Sequence, residues 1–459
     1  MKERVSTGIL TAMARVATYV VAATLAVGLN PVANIAGNGV ALGQTAVAAE
    51  CGQGGGNAGD NSGCGVRQVQ HVVVLMQENR SFDNYLGQLH SQGQPNARPE
   101  PINASNPNPL NPSGPPIQAF HQTNYCEVAD LNHSWNGTHQ EWDQGRMDGF
   151  TAANVATQDP TGSRTMGYYD RTDLPFYYGL YNTFATGDHY FASALTQTFP
   201  NRFYLLAGTS FGHIANDFPT SPTEYSQRSV FNLLDEAHIT WKVYFSQVPF
   251  ADLFAYVRNH APGNVVQIDD PVNGYYADAA AGRLPQVSFV DPIFAGAKNV
   301  ENDEHPPNNV QVGQAFVSKV TNALFQSPNW GSSALFFTYD EHGGFYDSLP
   351  PPPAPIPDNI PPMLQPGDTP GAFDRYGIGV PAAVVSPFSK RHFVSHVVHD
   401  HTSILRFIET RFGLPALTNR DAHADPMLEF FDFSTAAFKT PPQLPAAVID
   451  PVQFARCGG

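Results

Sequence analysis

The chain has 459 residues, enough for a large core, and a formal charge of −16. Only 14% of residues are charged, against about 25% in an average soluble protein, while aromatics reach 12% with 40 Pro and 39 Gly. That balance excludes a disordered chain or helical bundle and repels nucleic-acid backbones and anionic lipid surfaces. It leaves room for a small anionic substrate beside a bound cation.

The first fifty residues read as an export leader. Lys2, Arg4 and Arg15 flank the apolar stretch "VATYVVAATLAVGL", and "AVAAE" offers small residues for cleavage near Ala48 or Ala49. The apolar stretch falls short of the roughly 20 residues that span a bilayer. The expectation is a signal peptide over 1–49, a secreted or periplasmic mature protein and no stable membrane anchor. A Gly-rich segment follows over 50–68. Of the four cysteines, Cys51, Cys64, Cys126 and Cys457, none forms a C-x-x-C pair, so zinc is disfavoured. An even count behind a leader points to disulfides with three possible connectivities, Cys51 to Cys64 being favoured.

Five apolar runs have strand length and stop at polar residues: "HVVVLMQEN" at Glu78-Asn79, "ITWKVYFS" at Ser246, "QVSFVDP" at Asp291, "ALFFTYDE" at Asp340-Glu341 and "VPAAVVSPFS" near Ser386. A helical pattern over 312–327 lies among them. Such alternation predicts an α/β fold with a mostly parallel central sheet, helices on both faces and a site at the carboxyl ends of the strands. The segments 91–117 and 349–370 are Pro-rich surface loops. They read as insertions in one catalytic domain over 69–440, followed by a tail over 441–459.

The strand ends carry the chemistry. Glu78, Asn79, Asp340 and Glu341 supply three carboxylates and an amide, an all-oxygen set that suits Ca, Mg or Mn better than Zn. Either acid pair alone would equally serve as a strand cap. In "LTQTFPNRFYLLAG", Thr198 reads as the N-cap of a helix with Pro200 in its first turn and Gly208 at its end. A hydroxyl at a helix N-terminus beside a cation is placed to attack phosphorus. Taken alone, a capping threonine is the plainer reading. Arg202 could pair with a phosphoryl oxygen or simply with a surface acid, and His133 and His305, both in polar loops, could contact the phosphoryl group or protonate a leaving group. His342 is a weaker candidate. Thr402 or Ser403 reads as the cap of a helix ending at Gly413, with His401 able to face the site. Trp135, Trp142, Tyr168, Tyr169, Tyr177 and Tyr178 could offer faces to a choline headgroup, although core packing is the commoner use.

The motifs "QENRSFDNYLG", "TFPNRFYLLAGTS", "NDEHPP", "YDEHGGFYDSLPPP" and "DHTSILRFIETRFGLP" occur in the order seen in the bacterial phospholipase C and acid phosphatase family of phosphoesterases, which the chain resembles over most of 70–435. The resemblance implies an alkaline-phosphatase-like fold and metal-dependent hydrolysis of phosphate esters through a phospho-threonine intermediate. It assigns Glu78, Asn79, Thr198, Asp340 and Glu341 to the metal and His133 and His305 to the phosphoryl group. Thr196-Gln197 stands where relatives often have Gly-Pro, which leaves the geometry of that loop open. A phospholipid-type diester and a phosphomonoester are both compatible substrates. A Ca-stabilised exported binding protein is the non-enzymatic alternative. The protein is expected to act as a monomer without C-terminal docking modules.

Overall fold

A computed structural model describes residues 65–458 apart from 222. The leader, its cleavage site and the Cys51–Cys64 pair lie outside the described residues.

The five predicted runs form β1 (His71–Gln77), β3 (Trp241–Phe245), β5 (Val287–Asp291), β6 (Ser333–Tyr339) and β7 (Ala382–Val385). With β2 (Ala185–Gly187), β4 (Val265–Gln267) and β8 (Val394–Ser395) they build one eight-stranded sheet in the order β8-β2-β7-β6-β1-β5-β3-β4. Every residue of β5, β6 and β7 is buried. Successive side chains point to opposite faces, so these strands are covered on both sides. Pairing is parallel throughout except at β7, which is antiparallel to both neighbours. The end of β7 at Ser386 therefore lies at the opposite edge, where Ser386 Oγ donates to Ser333 O at the start of β6 at 2.8 Å. It takes no part in a site at the other edge.

The helices that matter for the site are α1 (Phe82–Leu86), α2 (Trp135–Trp142), α3 (Thr198–Ala207), α4 (Val310–Phe325), α5 (His401–Phe412) and α6 (Pro451–Gly458). Ser81 caps α1, accepting from Asn84 N at 3.1 Å. Asn309 caps α4 by accepting from Gln311 N at 3.0 Å, so this helix starts before the predicted 312. Two cap assignments need correction. Asp400, not Thr402 or Ser403, is the N-cap of α5, and its N–H donates to Ser403 Oγ at 3.3 Å. Gln197, not Thr198, is in the cap position of α3. The N–H of Phe199 is held from outside by Asn216 Oδ1 at 2.8 Å, so Thr198, the first helical residue, is not the one that caps it. Residues 349–370 contain no regular element. Among the described residues no helix is long and apolar enough to cross a membrane.

A disulfide joins Cys126 to Cys457, 331 residues apart. It fastens α6 onto the segment leading into α4: Asn299 Nδ2 donates to Phe454 O at 2.6 Å, Asp450 N to Gln311 Oε1 at 2.7 Å, and Lys298 Nζ to Glu127 O at 3.0 Å. Closing so long a loop removes unfolded-state entropy, worth about 2–5 kcal/mol. The C126S/C457S double variant should lose stability of that order in urea titrations and expose residues beyond 440 to proteases. An unchanged midpoint would contradict this placement of the tail.

Candidate active site

The register of the two central strands decides where the acids go. Gln77 of β1 pairs with Tyr339 of β6, and Asp340 N donates to Gln77 O at 3.1 Å. Glu78-Asn79 and Asp340-Glu341 therefore leave the sheet side by side. Asn79 then turns sharply, with a φ of 61°, a left-handed conformation that Asn tolerates better than most residues. Gly343 (φ +65°) packs against it so closely that a Cβ there would lie 2.4 Å from Asn79 O.

Asn79 is the hub. Its N–H donates to Asp340 Oδ1 at 3.3 Å, its Oδ1 accepts from Thr198 Oγ1 at 3.4 Å, and its Nδ2 lies 3.4 Å from His133 Nδ1. His133 Nδ1 is 2.6 Å from Glu341 Oε1, and the His133 and His305 rings lie 5.5 Å apart. The predicted residues thus form one connected group, drawn from two strand ends, one helix start and two loops. Glu78, His133, Thr198 and His305 face a cavity of about 750 Å³, whose apolar wall includes Phe199, Phe218, Phe250 and Phe294.

Arg202 pairs with acids, one of its two expected partners, but these acids are buried and not at the surface. On the second turn of α3, its Nη2 lies 3.1 Å from Glu78 Oε1 and its Nε 3.2 Å from Asp340 Oδ2. Nη2 also donates to Met76 O at 3.1 Å, and the guanidinium carbon lies 5.5 Å and 4.9 Å from the ring centres of Phe250 and Phe294. It bridges the two acids through Nε and Nη2 and is not among the residues that line the cavity.

Three acids here are strained by burial. Burial pushes Glu78 well up, with Arg202 opposing and Asp340 adding. It lifts Asp340 to about 6, again against Arg202, and raises Asp303 with help from Glu301. Glu341 differs: burial would raise it, but His133 and His342 outweigh burial and hold it well below the usual carboxylate range. His133 is raised because Glu341 and Asp130 overcome its burial. His401, lowered to about 3 by burial, is a neutral imidazole whose Nε2–H donates to Asp340 O at 2.6 Å.

This donor set fits a hard divalent cation. Thr198 Oγ1 meets Asn79 Oδ1, Asn79 N–H meets Asp340 Oδ1, Arg202 draws Glu78 Oε1 and Asp340 Oδ2 to one guanidinium, burial pushes both carboxyls up, and Asp303 Oδ2 is buried without a hydrogen-bond partner. A cation relieves that strain by favouring the ionised carboxyls. Asp130, not among the predicted residues, brings a ligand atom within 4.8 Å of His133 and His305. Its signal was the three-residue spacing to His133. Glu141 and His342 join the same group through Glu341. None of the six aromatics considered for a headgroup lines the cavity. Trp135, Tyr169, Tyr177 and Tyr178 are buried in the core, and the phenylalanines above take the wall instead.

Residues 69–415 match the Phosphoesterase family. The chain belongs to that family. This phosphoesterase is 32% identical to non-specific phospholipase C1 of Arabidopsis thaliana, over 79% of its own length and 71% of the relative's. It is 34% identical to phospholipase C B of Mycobacterium tuberculosis (strain ATCC 25618 / H37Rv), over 82% and 80%. Among solved structures, a protein in the alkaline phosphatase superfamily from Vibrio parahaemolyticus is similar with a TM-score of 0.36 and 10% identity, covering 82% of this chain and 71% of that one. The chain is a phosphoric ester hydrolase of phospholipase C type.

Gly343→Ala should strain the left-handed turn by roughly 1–3 kcal/mol and displace Asn79, lowering kcat. Gly263→Ala, where a Cβ meets nothing within 4 Å, serves as the control. Equal activities of the two variants would contradict the hub role of Asn79.

Proposed function

We propose that this phosphoesterase hydrolyses phosphodiesters of the phospholipid type with Thr198 as nucleophile, forming a phospho-threonine intermediate, and that a divalent cation is held by Glu78, Asn79, Thr198, Asp340 and Glu341. The observation that carries the reading is the convergence of Thr198 Oγ1 with Asn79, and through it with Asp340 and His133, at the floor of the cavity. When bound, the cation would neutralise the charge on the phosphoryl oxygens and favour the ionised hydroxyl.

The protein's own groups do the rest. The start of α3 orients Thr198, whose hydroxyl is not needed for capping. Arg202 fixes Glu78 and Asp340 and so preserves the spacing of the acids, a positioning role in place of the phosphoryl contact first expected. His305 donates to a phosphoryl oxygen. His133, kept cationic by Glu341 and Asp130, protonates the leaving oxygen and then accepts a proton from the water that releases phosphate from Thr198. The phenylalanine wall and the volume of the cavity fit a bulky apolar leaving group of the kind a phospholipid carries. Named relatives that are phospholipases C support the same choice. Export after cleavage of residues 1–49 agrees with the Cys126–Cys457 disulfide, which suits an oxidising compartment.

Purified protein should release nitrophenol from nitrophenyl phosphorylcholine faster than from nitrophenyl phosphate. Chelation should abolish turnover and Mn²⁺, Mg²⁺ or Ca²⁺ restore it. Thr198→Ala should lose at least about 10³-fold in kcat. A fully active Thr198→Ala would overturn the nucleophile assignment, and a preference for the monoester would overturn the substrate class.

A further inference from the structure

Four buried side chains run in a line beneath the cavity. Glu141, in the second turn of α2, accepts from Asn154 Nδ2 at 2.8 Å through Oε1 and lies 2.7 Å from His342 Nε2 through Oε2. The other ring nitrogen, His342 Nδ1, is 3.2 Å from Glu341 Oε2, which also accepts from Gly343 N at 2.7 Å. Glu341 Oε1 lies 2.6 Å from His133 Nδ1, leaving His133 Nε2 toward the cavity, 3.6 Å from Asp130 Oδ2. Glu141, His342 and Glu341 are no more than 1% exposed. Both ends of the line belong to one stretch of chain, because His133 immediately precedes the Ser134 cap of α2 and Glu141 lies near its end.

We propose that Glu141 and His342 are positioning residues for His133: acting through Glu341, they hold its ring with Nδ1–H on the carboxylate and Nε2–H toward the leaving group. The inference rests on the reading above that His133 is the acid. Two N–H groups, of Gly343 and His342, face Glu341 Oε2, and His133 Nδ1 lies against Oε1. A ring whose far nitrogen is fixed by a carboxylate presents a single tautomer and direction at its near nitrogen. As the phosphorus–oxygen bond to the leaving group breaks, its electron pair stays on that oxygen and the Nε2 proton of His133 passes to it. The same nitrogen regains a proton from the water that attacks phospho-threonine. Glu141 touches neither substrate nor reacting atoms. A carboxylate at the far end of such a line does more than fill space: it receives the second N–H of His342 and so fixes which nitrogen of that ring faces Glu341.

The test is a leaving-group comparison. On whichever phosphoryl group the wild type accepts, kcat/KM is measured for two esters, one releasing nitrophenol and one releasing a simple alcohol. Nitrophenolate leaves as a stable anion without a proton, whereas an alkoxide needs one. Glu141→Gln should lower kcat/KM on the alkyl ester by about 10–100-fold and on the nitrophenyl ester far less. Equal losses on the two esters, or no loss on either, would overturn the proposal. Nitrogen NMR of histidine-labelled metal-free protein reads the same feature without turnover. The Nδ1 proton signal of His133, assigned by its loss in Glu341→Gln, should shift in Glu141→Gln, and an unmoved signal again overturns it. Should Glu141→Gln fail to fold, His342→Gln is measured in the same way. A wild type inert toward both esters would sink the functional reading, and the NMR arm then decides the positioning claim by itself.

Discussion

The parallel register of β1 against β6 is the constraint on which the site depends. It sets Glu78 beside Asp340 where the sheet ends, in a place dry enough to push both carboxyls upward. Like charges so placed repel, and burying an ion costs several kcal/mol unless it is paired. Arg202 supplies the pairing from below by bridging both acids. The left-handed turn at Asn79 and the glycine packed on it follow from the same crowding, because the two strand ends must diverge at once. A one-residue slip would turn each side chain to the opposite face and disperse the cluster.

Around that fixed pair, the remaining groups come from segments outside the sheet. His133 comes from the entry of α2, His305 from the loop before α4, and Thr198 from the start of α3. Each is fastened by something remote: His133 through Glu341, Thr198 by the outside capping of Phe199 from Asn216, and the His305 loop by α6 and its disulfide. The C-terminal tail therefore belongs to the site's scaffold, although nothing in it touches the cavity.

Much of this was legible in the sequence. Continuous apolar runs ending in acids gave the strands, since a parallel strand covered on both faces has no polar alternation to confuse it. Glu78, Asn79, Thr198, Asp340, Glu341, His133 and His305 were named in advance, and the structure brings them into one group. What the sequence hid were relationships that only packing decides. The direction of β7 removed Ser386 from consideration. Capping of α3 by a residue in another loop shifted Thr198 from cap to first helical residue, with its hydroxyl on Asn79 Oδ1. Arg202 was open to a phosphoryl oxygen or an acid, and packing gives it to Glu78 and Asp340. The headgroup aromatics failed for the same reason: composition counts rings but does not say which are buried. Glu141 carried no signal at all, since a lone acid inside "WNGTHQEW" gives no hint of a histidine 201 residues away.

The central claim is that the strand-end acids and Thr198 together hold a divalent cation. Anomalous diffraction from crystals soaked in Mn²⁺ tests it most directly. The account predicts an anomalous peak bounded by oxygens of Glu78, Asn79, Thr198, Asp340 and Glu341 at about 2.0–2.3 Å. Ordered crystals with no peak there, Glu78 and Asp340 being paired with Arg202 alone, would contradict it.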